Sequence, residues 1–464
     1  MKEVGKPKYI FITGGVVSGL GKGITAASLG RLLINRGLRV AIQKLDAYIN
    51  VDTSFMSPLE HGEIFLTDDG AECDVDVGHY ERFLGRSFYG TSNWTMGKIY
   101  SSVIAKERAG GYNGKNVQLI PHVTNEVIKV MKSVARDDDD IVIVEVGGTV
   151  GDIEQMVYIE AIRQFRKELG YKNSLSIHVT LVPYLGASGE IKTKPTQASV
   201  RELSQMGIIP DIVVCRTDKN VELDAGVREK IALFCNLDGK DSIIHNKDCR
   251  TIYEVPILFK QQKFDDTVLQ KLGLEAPEGD LTEWKRMADK WVGKYPVKTV
   301  AVVGKYSAVP DAYLSIVEAV KYAGVECGIN VKVKFVGCDD VENVKDADAM
   351  ILTNGDGECS KYGRENKIPC LGVGIYAKKP GRKNPLGLSG CNLPAGSKIA
   401  AIYGTTKINE RFRRVADPNI VELPGHPFYI TVGYHPEFRS RPFTPHPLFM
   451  AFINAAKTNL GGAK

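Results

Sequence analysis

The stretch Gly14-Gly15-Val16-Val17-Ser18-Gly19-Leu20-Gly21-Lys22-Gly23 constrains this chain more than any other. An apolar strand pattern at residues 9–12 runs into it. A helical pattern at residues 24–35 leaves it, with Leu29, Leu32, Leu33 and Ile34 on or near one face. Strand, glycine loop, lysine and helix make a phosphate cradle: backbone N–H groups close around the oxygens, the helix N-terminus adds partial positive charge, and the lysine reaches the outer phosphates. The spacing departs from the standard loop. Val16 stands where the first glycine belongs, and Gly23 replaces the Ser or Thr that would ligate magnesium. The stretch is therefore a plain strand-to-helix joint or a variant cradle whose metal is held elsewhere.

Residues 1–265 alternate short apolar runs with helical patterns. Residues 40–43, 141–144, 176–182 and 212–215 read as buried strands, and residues 124–134, 159–169 and 196–206 as amphipathic helices between them. This alternation predicts a parallel α/β sheet covered on both faces, with ligands beyond the carboxyl ends of its strands. Residues 266–297 are looser and turn-rich and read as a linker. A second domain over 298–464 has its own strand patterns at 299–304, 331–336, 349–352 and 369–373. At 464 residues the chain has room for two or three domains.

Four polar clusters fall near predicted strand ends or helix starts. Lys44-Leu45-Asp46-Ala47-Tyr48-Ile49-Asn50-Val51-Asp52 follows the second strand, and its lysine, acids and amide favour a ligand role over a solvated loop. Residues 61–79 carry His61, Glu63, Asp68, Asp69, Glu72, Asp74, Asp76 and His79, a run that suits wet surface or a ligand loop equally. Glu145 follows the strand at 141–144, where a nucleotide-binding sheet commonly places a magnesium carboxylate, and it opens a run ending in Asp152, Ile153 and Glu154. Magnesium takes one or two protein carboxylates plus phosphate oxygens and water. With Gly23 unable to ligate, Glu145 plus an acid from residues 61–79 is the economical solution. Lastly, Lys192 and Lys194 precede Pro195 and a helix start, making a second anion site. Two anion sites mean two nucleotides, or a nucleotide and a phosphorylated acceptor.

Composition narrows the classes. A net charge of +5 is too mild for a nucleic-acid partner but suits anionic small substrates. The nine cysteines form no CxxC pair, which argues against zinc and for free thiols in a reducing cytoplasm. No apolar run approaches a membrane span.

Together these residues resemble the CTP synthase family over nearly the whole chain. The first half carries Thr13-Gly14-Gly15-Val16-Val17-Ser18 with Leu20-Gly21-Lys22-Gly23, Lys44-Leu45-Asp46, Asp69-Gly70-Ala71-Glu72, Gly78-His79-Tyr80-Glu81-Arg82-Phe83, residues 145–154 and Lys192-Thr193-Lys194-Pro195-Thr196-Gln197. In the second half, Gly304-Lys305-Tyr306, Pro310-Asp311-Ala312-Tyr313 and His435-Pro436-Glu437-Phe438 with Ser440-Arg441-Pro442 look like the family's glutamine amidotransferase domain. The resemblance implies a phosphate-loop-like amidoligase domain (1–265) followed by an α/β domain of class I glutamine amidotransferase type (298–464).

It also implies a ligase reaction: ATP phosphorylates the 4-oxygen of UTP, ammonia displaces the phosphate, and CTP leaves. By motif, Ser18 with Gly19, Leu20, Gly21, Lys22, Gly23 and Ile24 would hold phosphates, Ser18 on the UTP side. Lys22 and Lys44 would assist transfer, and Asp76 and Glu145 would take Mg2+. Lys192, Thr193, Lys194, Pro195, Thr196, Gln197 and Lys230 would bind UTP. Asp152, Ile153 and Glu154 would take the cytosine nucleotide in feedback inhibition by CTP. Lys247, Asp248 and Cys249 would meet adenine, and His61 resembles the histidine that gates ammonia entry. The family further implies a cytoplasmic homotetramer, filaments, and GTP as an allosteric effector of glutamine use.

The second half departs from the family. Such domains hydrolyse glutamine with a Cys–His–Glu triad, the cysteine on a sharp elbow in a Gly-x-Cys-x-Gly context. Here the run is Gly372-Val373-Gly374-Ile375-Tyr376, with Gly374 at the nucleophile position. Cys370 lies four residues earlier inside a strand pattern, where its thiol is expected to point into the core or sheet. The family's Pro-Gly-Gly-Phe-Gly turn is replaced by Thr353-Asn354-Gly355-Asp356-Gly357-Glu358, residues 378–384 are basic and look shortened, and Glu410-Arg411-Phe412-Arg413-Arg414-Val415 matches only partly. His435 and Glu437 are thus expected to be residual, with free ammonia as the nitrogen source. Two rivals stand beside this reading: a relative of dethiobiotin synthetase, against which residues 152–154 and 192–197 speak, and a regulatory or filament-forming paralogue of an active synthase.

Overall fold

A computed structural model describes residues 7–51, 53, 56–218, 221–353, 355, 357–375, 387–413 and 419–459. Asp52, Asn354, Asp356, Tyr376, residues 378–384, Arg414 and Val415, all named above, lie outside these. The chain forms two units, one of Met1–Asp52 and Thr91–Ala288, the other of Thr53–Gly90 and Asp289–Lys464.

The first unit is built on seven parallel strands: β1 (Lys8–Gly14), β2 (Val40–Asp46), β3 (Asn93–Thr95), β4 (Ile141–Val146), β5 (Ser174–Leu181), β6 (Ile212–Thr217) and β7 (Ile243–Lys247). Their order is β7-β6-β5-β1-β4-β2-β3. Every residue of β2 and β4 is buried, as the continuous apolar runs require of a doubly covered parallel sheet. Helices Thr124–Ser133 and Met156–Leu169 place Val127, Met131, Ile162 and Phe165 in one cluster with Phe11, Val142 and Val144. Burial of each such side chain is worth about 1.5–3 kcal/mol.

Two strands run further than the sequence suggested. Lys44 and Asp46 lie on β2 rather than after it, and Glu145 lies inside β4. The cause is register: Lys44 sits opposite Glu145 across the β2–β4 ladder, and their side chains pair at 3.0 Å. Each charge neutralises the other, so the sheet continues through them. Edge strands β3 and β7 escaped notice because Asn93-Trp94-Thr95 is too short for a pattern and β7 ends in His245-Asn246-Lys247.

The second unit has a six-stranded sheet: β8 (Val297–Val303), β9 (Asn330–Val336), β10 (Ala349–Leu352), β11 (Cys370–Gly372), β12 (Val421–Glu422) and β13 (Tyr429–Thr431). The order is β9-β8-β10-β11-β13-β12, parallel except for the β12–β13 pair. The stretch 266–297, read as a linker, is largely helical. Phe264–Leu272 and Thr282–Trp291 are helices, and the first unit extends to Ala288. Buried Trp284 donates its indole N–H to the Tyr253 carbonyl at 2.8 Å.

Residues Thr53–Gly90 join the second unit although the first unit's Thr91–Ala288 follows them. Arg411, wholly buried, explains this. Its Nε donates to Asp68 Oδ1 at 2.6 Å, its Nη2 to both Glu81 oxygens at 3.0 Å, and its Nη1 to the carbonyls of Leu66 and Phe438 at 2.8 and 3.1 Å. Arg441 adds a bond to Glu81 at 2.8 Å. Asp68 of the acidic run, with Glu81 just beyond it, is thus part of an ionic seam around a buried arginine: a charge enters a core only when its partners enter too. Arg411→Ala would leave the Glu81 carboxylate buried with weakened compensation. It is expected to cost about 3–5 kcal/mol, measured by urea unfolding, with earlier proteolytic cleavage between residues 53 and 90.

Candidate functional site

The glycine loop between β1 and helix Lys22–Asn35 has the backbone of a cradle. Val16, Gly19 and Gly21 all lie in the left-handed region, at φ 80°, 75° and 81°. Val16 therefore holds the conformation that the missing glycine would supply freely, a strain that proteins store at functional loops. Helix Lys22–Asn35 starts at Gly21 without a side-chain cap and without an acid in its first turn. A helix start of this kind suits an anion. Lys22 folds back over the loop and donates to the Gly148 carbonyl at 2.7 Å. A Cβ on Gly14 would stand 2.7 Å from Lys22 Cδ, so the glycine makes room for the lysine. Ser18 is exposed at the loop's tip.

At the neighbouring strand ends, Lys44 Nζ lies 3.0 Å from Glu145 Oε1 and 4.0 Å from Asp46 Oδ1, all three buried. Asp46 also accepts from Asn93 Nδ2 at 2.8 Å. Sequence reasoning gave Asp46 no role of its own; its position in Lys44-Leu45-Asp46, one strand face from Lys44, was the signal. Glu145 and Asp46 supply hard carboxylate oxygens, the donor type that magnesium takes. Asp76, the other expected ligand, is in the first turn of helix Val75–Leu84 in the second unit. His61 also belongs there, its Nε2 3.5 Å from Asp74 Oδ2.

The second anion candidate is helix Lys194–Gln205. Thr193 is its N-cap and makes no side-chain cap bond. Thr196 donates to the Leu181 carbonyl at 2.9 Å and Gln197 to Thr193 Oγ1 at 3.0 Å, so these two side chains fix the helix start. Pro195 fits the first turn. Lys194 is exposed, and Lys192 pairs with Glu190. Asp152, Ile153 and Glu154 are exposed in the loop after β4, with Asp152 accepting from the Thr149 N–H at 3.2 Å. Lys230 is exposed on helix Ala225–Phe234. Lys247 ends β7 and pairs with Glu222, Asp248 pairs with Arg216, and Cys249 Sγ donates to the Lys247 carbonyl at 3.5 Å.

In the second unit, a cavity of about 970 Å³ is lined by Glu63, Lys305, Tyr313, Gly374, His435 and Glu437 among others. His435 Nδ1 and Glu437 Oε1 are 2.7 Å apart. Gly374 follows β11 at φ 63°, and a Cβ built on it would lie 2.4 Å from His435 Cε1 and 2.9 Å from Nε2. Gly374 is thus a left-handed residue after a strand that faces the His435–Glu437 pair. Cys370 is fully buried in β11, its Sγ bonding the Ile368 carbonyl at 3.1 Å, and burial pushes its thiol pKa up.

Glu63 was quoted in the acidic run without a role. It accepts from the Ser315 N–H at 3.0 Å and from Ser315 Oγ at 2.5 Å, at the N-terminus of helix Leu314–Cys327. Burial outweighs these bonds and the nearby Arg82 and pushes its carboxyl up to about 7.

Residues 8–274 match the family model described as CTP synthase N-terminus. The CTP synthase of Clostridium beijerinckii is 44% identical over 529 residues, covering 97% of this chain and 98% of that one. Those of Clostridium acetobutylicum and Desulfitobacterium hafniense are 45% and 43% identical, with at least 97% of this chain and 99% of theirs covered. These alignments run over more positions than the chain's 464 residues, so this chain is internally shorter than those relatives. Among the described residues, no helix is long and apolar enough to cross a membrane.

The raised carboxyl of Glu63 sets a pH dependence. Between its ordinary value of 4.5 and about 7, the folded state binds more protons than the unfolded state, so this group's contribution to stability falls as pH rises. The full loss is on the order of 3 kcal/mol. Glu63→Gln is expected to remove that slope, checked by urea unfolding of both proteins at pH 4.5, 6 and 7.5.

Proposed function

The chain belongs to the CTP synthase family, and from that premise we propose that it makes CTP from UTP, ATP and free ammonia, without glutamine. Oxygen on a pyrimidine ring is a poor leaving group. Transfer of the ATP γ-phosphoryl to the 4-oxygen of UTP makes it a good one, and ammonia then displaces phosphate. Lys22, the loop N–H groups and the open start of helix Lys22–Asn35 bind the transferring phosphates and offset their charge. Lys44, held by Glu145, adds positive charge at the strand ends. Lys192, Thr193, Lys194 and the uncapped start of helix Lys194–Gln205 bind the second triphosphate, with Lys230 at its side. Magnesium, when bound with Glu145 as a ligand, supplies charge neutralisation between the phosphates.

One observation supports the reading that glutamine is not used: Gly374, facing His435 and Glu437, has no nucleophile to offer. His435 Cε1 lies 2.4 Å from where the Cβ would be, and Cys370 is committed to the strand core. The expected outcome is CTP formation with ATP, UTP, Mg2+ and ammonium chloride, and no CTP above background with glutamine, followed by chromatography. Glutamine-driven CTP at a rate comparable to ammonia overturns the proposal. Gly374→Cys alone is expected not to restore glutamine use. Its Cβ must displace the His435 ring, and with it the bond to Glu437 that would orient the base.

A further inference from the structure

One buried histidine joins the glycine loop to the helix of the second anion site. His178 lies on β5, directly opposite Thr13 of β1 in the ladder. Its Nδ1 is 2.9 Å from Thr13 Oγ1 and its Nε2 is 2.8 Å from Ser199 Oγ. Thr13 precedes Gly14 and Gly15 of the loop, and Ser199 is on helix Lys194–Gln205. None of the three is more than 4% exposed. Burial, reinforced by Lys22, pushes the imidazole down to about 3. The ring is therefore neutral, with one nitrogen donating and the other accepting. Each hydroxyl is thus given a fixed direction. The backbone is fitted to this arrangement. A Cβ on Gly15 would stand 1.8 Å from Ser199 Oγ and 3.1 Å from His178 Nε2. The loop backbone reaches the helix only because position 15 is glycine.

The geometry points to His178 as a positioning residue that holds the phosphate loop and helix Lys194–Gln205 in one alignment, so that occupation of either nucleotide site favours occupation of the other. This rests on the functional reading above, in which that helix binds UTP. A buried histidine that only fills space would contribute to stability and leave the two sites independent. A bridge of two directed bonds, from the strand that enters the loop to a helix one turn past Pro195, transmits the position of one site to the other.

Calorimetry on the full chain tests this. UTP affinity is measured with and without a saturating non-hydrolysable ATP analogue and Mg2+. In the unmutated chain the analogue is expected to tighten UTP binding at least fivefold. In His178→Phe, which keeps the ring volume and loses both bonds, the ratio is expected to fall to within twofold of one, while UTP binding alone changes less than threefold. Ser199→Ala breaks the same bridge from the helix side with a smaller perturbation and serves if the phenylalanine variant does not fold. His178→Gln, whose amide reaches the Nε2 position, is expected to retain part of the ratio. A wild-type ratio in both His178→Phe and Ser199→Ala, or a ratio of one in the unmutated chain, overturns the assignment. Absence of UTP binding to the unmutated chain overturns the functional reading itself.

Discussion

The carboxyl-terminal edge of the first unit's sheet is organised around a lysine turned back on its own loop. Lys22 spans from the start of its helix to the Gly148 carbonyl in the loop after β4, and so ties the glycine loop to the strand that carries Glu145. Gly14 must lack a side chain for the lysine stem to pass. Val16 must accept a left-handed backbone for the loop to turn. A phosphate oxygen is a stronger acceptor than a carbonyl, so the same ammonium can exchange one partner for the other with little rearrangement. The Lys44–Glu145 pair continues the logic one strand away. Charge is held inside the sheet by an opposite charge in register, close to where ligands of parallel sheets sit.

The second unit is organised by a different use of charge. Arg411 satisfies Asp68, Glu81 and two carbonyls from a fully buried position. Loss of any charged member weakens the compensation of the charges that remain buried. It fastens residues Thr53–Gly90 to a unit whose remaining chain begins at Asp289. The same unit has a formed cavity and a paired His435 and Glu437 beside Gly374. The fold rests on the ionic seam, the sheet and the core helices, not on the residue at position 374.

Much was legible from sequence because it is local. A strand, a glycine loop, a lysine and a helix are adjacent in the chain, so their order alone gives the strand–loop–helix unit, and the apolar runs give the parallel sheet. The glycine at position 374 is read directly from the chain, and the structure adds its left-handed backbone and its closeness to His435. Strand ends were misjudged where a charge looked like a boundary. Lys44 and Glu145 are about 100 residues apart, and nothing in either neighbourhood announces that they lie opposite each other.

The sequence by itself determined most of the central strands and helices, the order of strand, glycine loop and helix at residues 8–35, and the glycine at position 374, since each follows from backbone propensity and residue type within one segment. Only the tertiary structure decided which unit the acidic run joins, which carboxylates are buried, and that His178 stands between Thr13 and Ser199. Those outcomes depend on desolvation and on the distance between side chains far apart in the chain. Both are set by packing, and packing exists only once the sheet has formed.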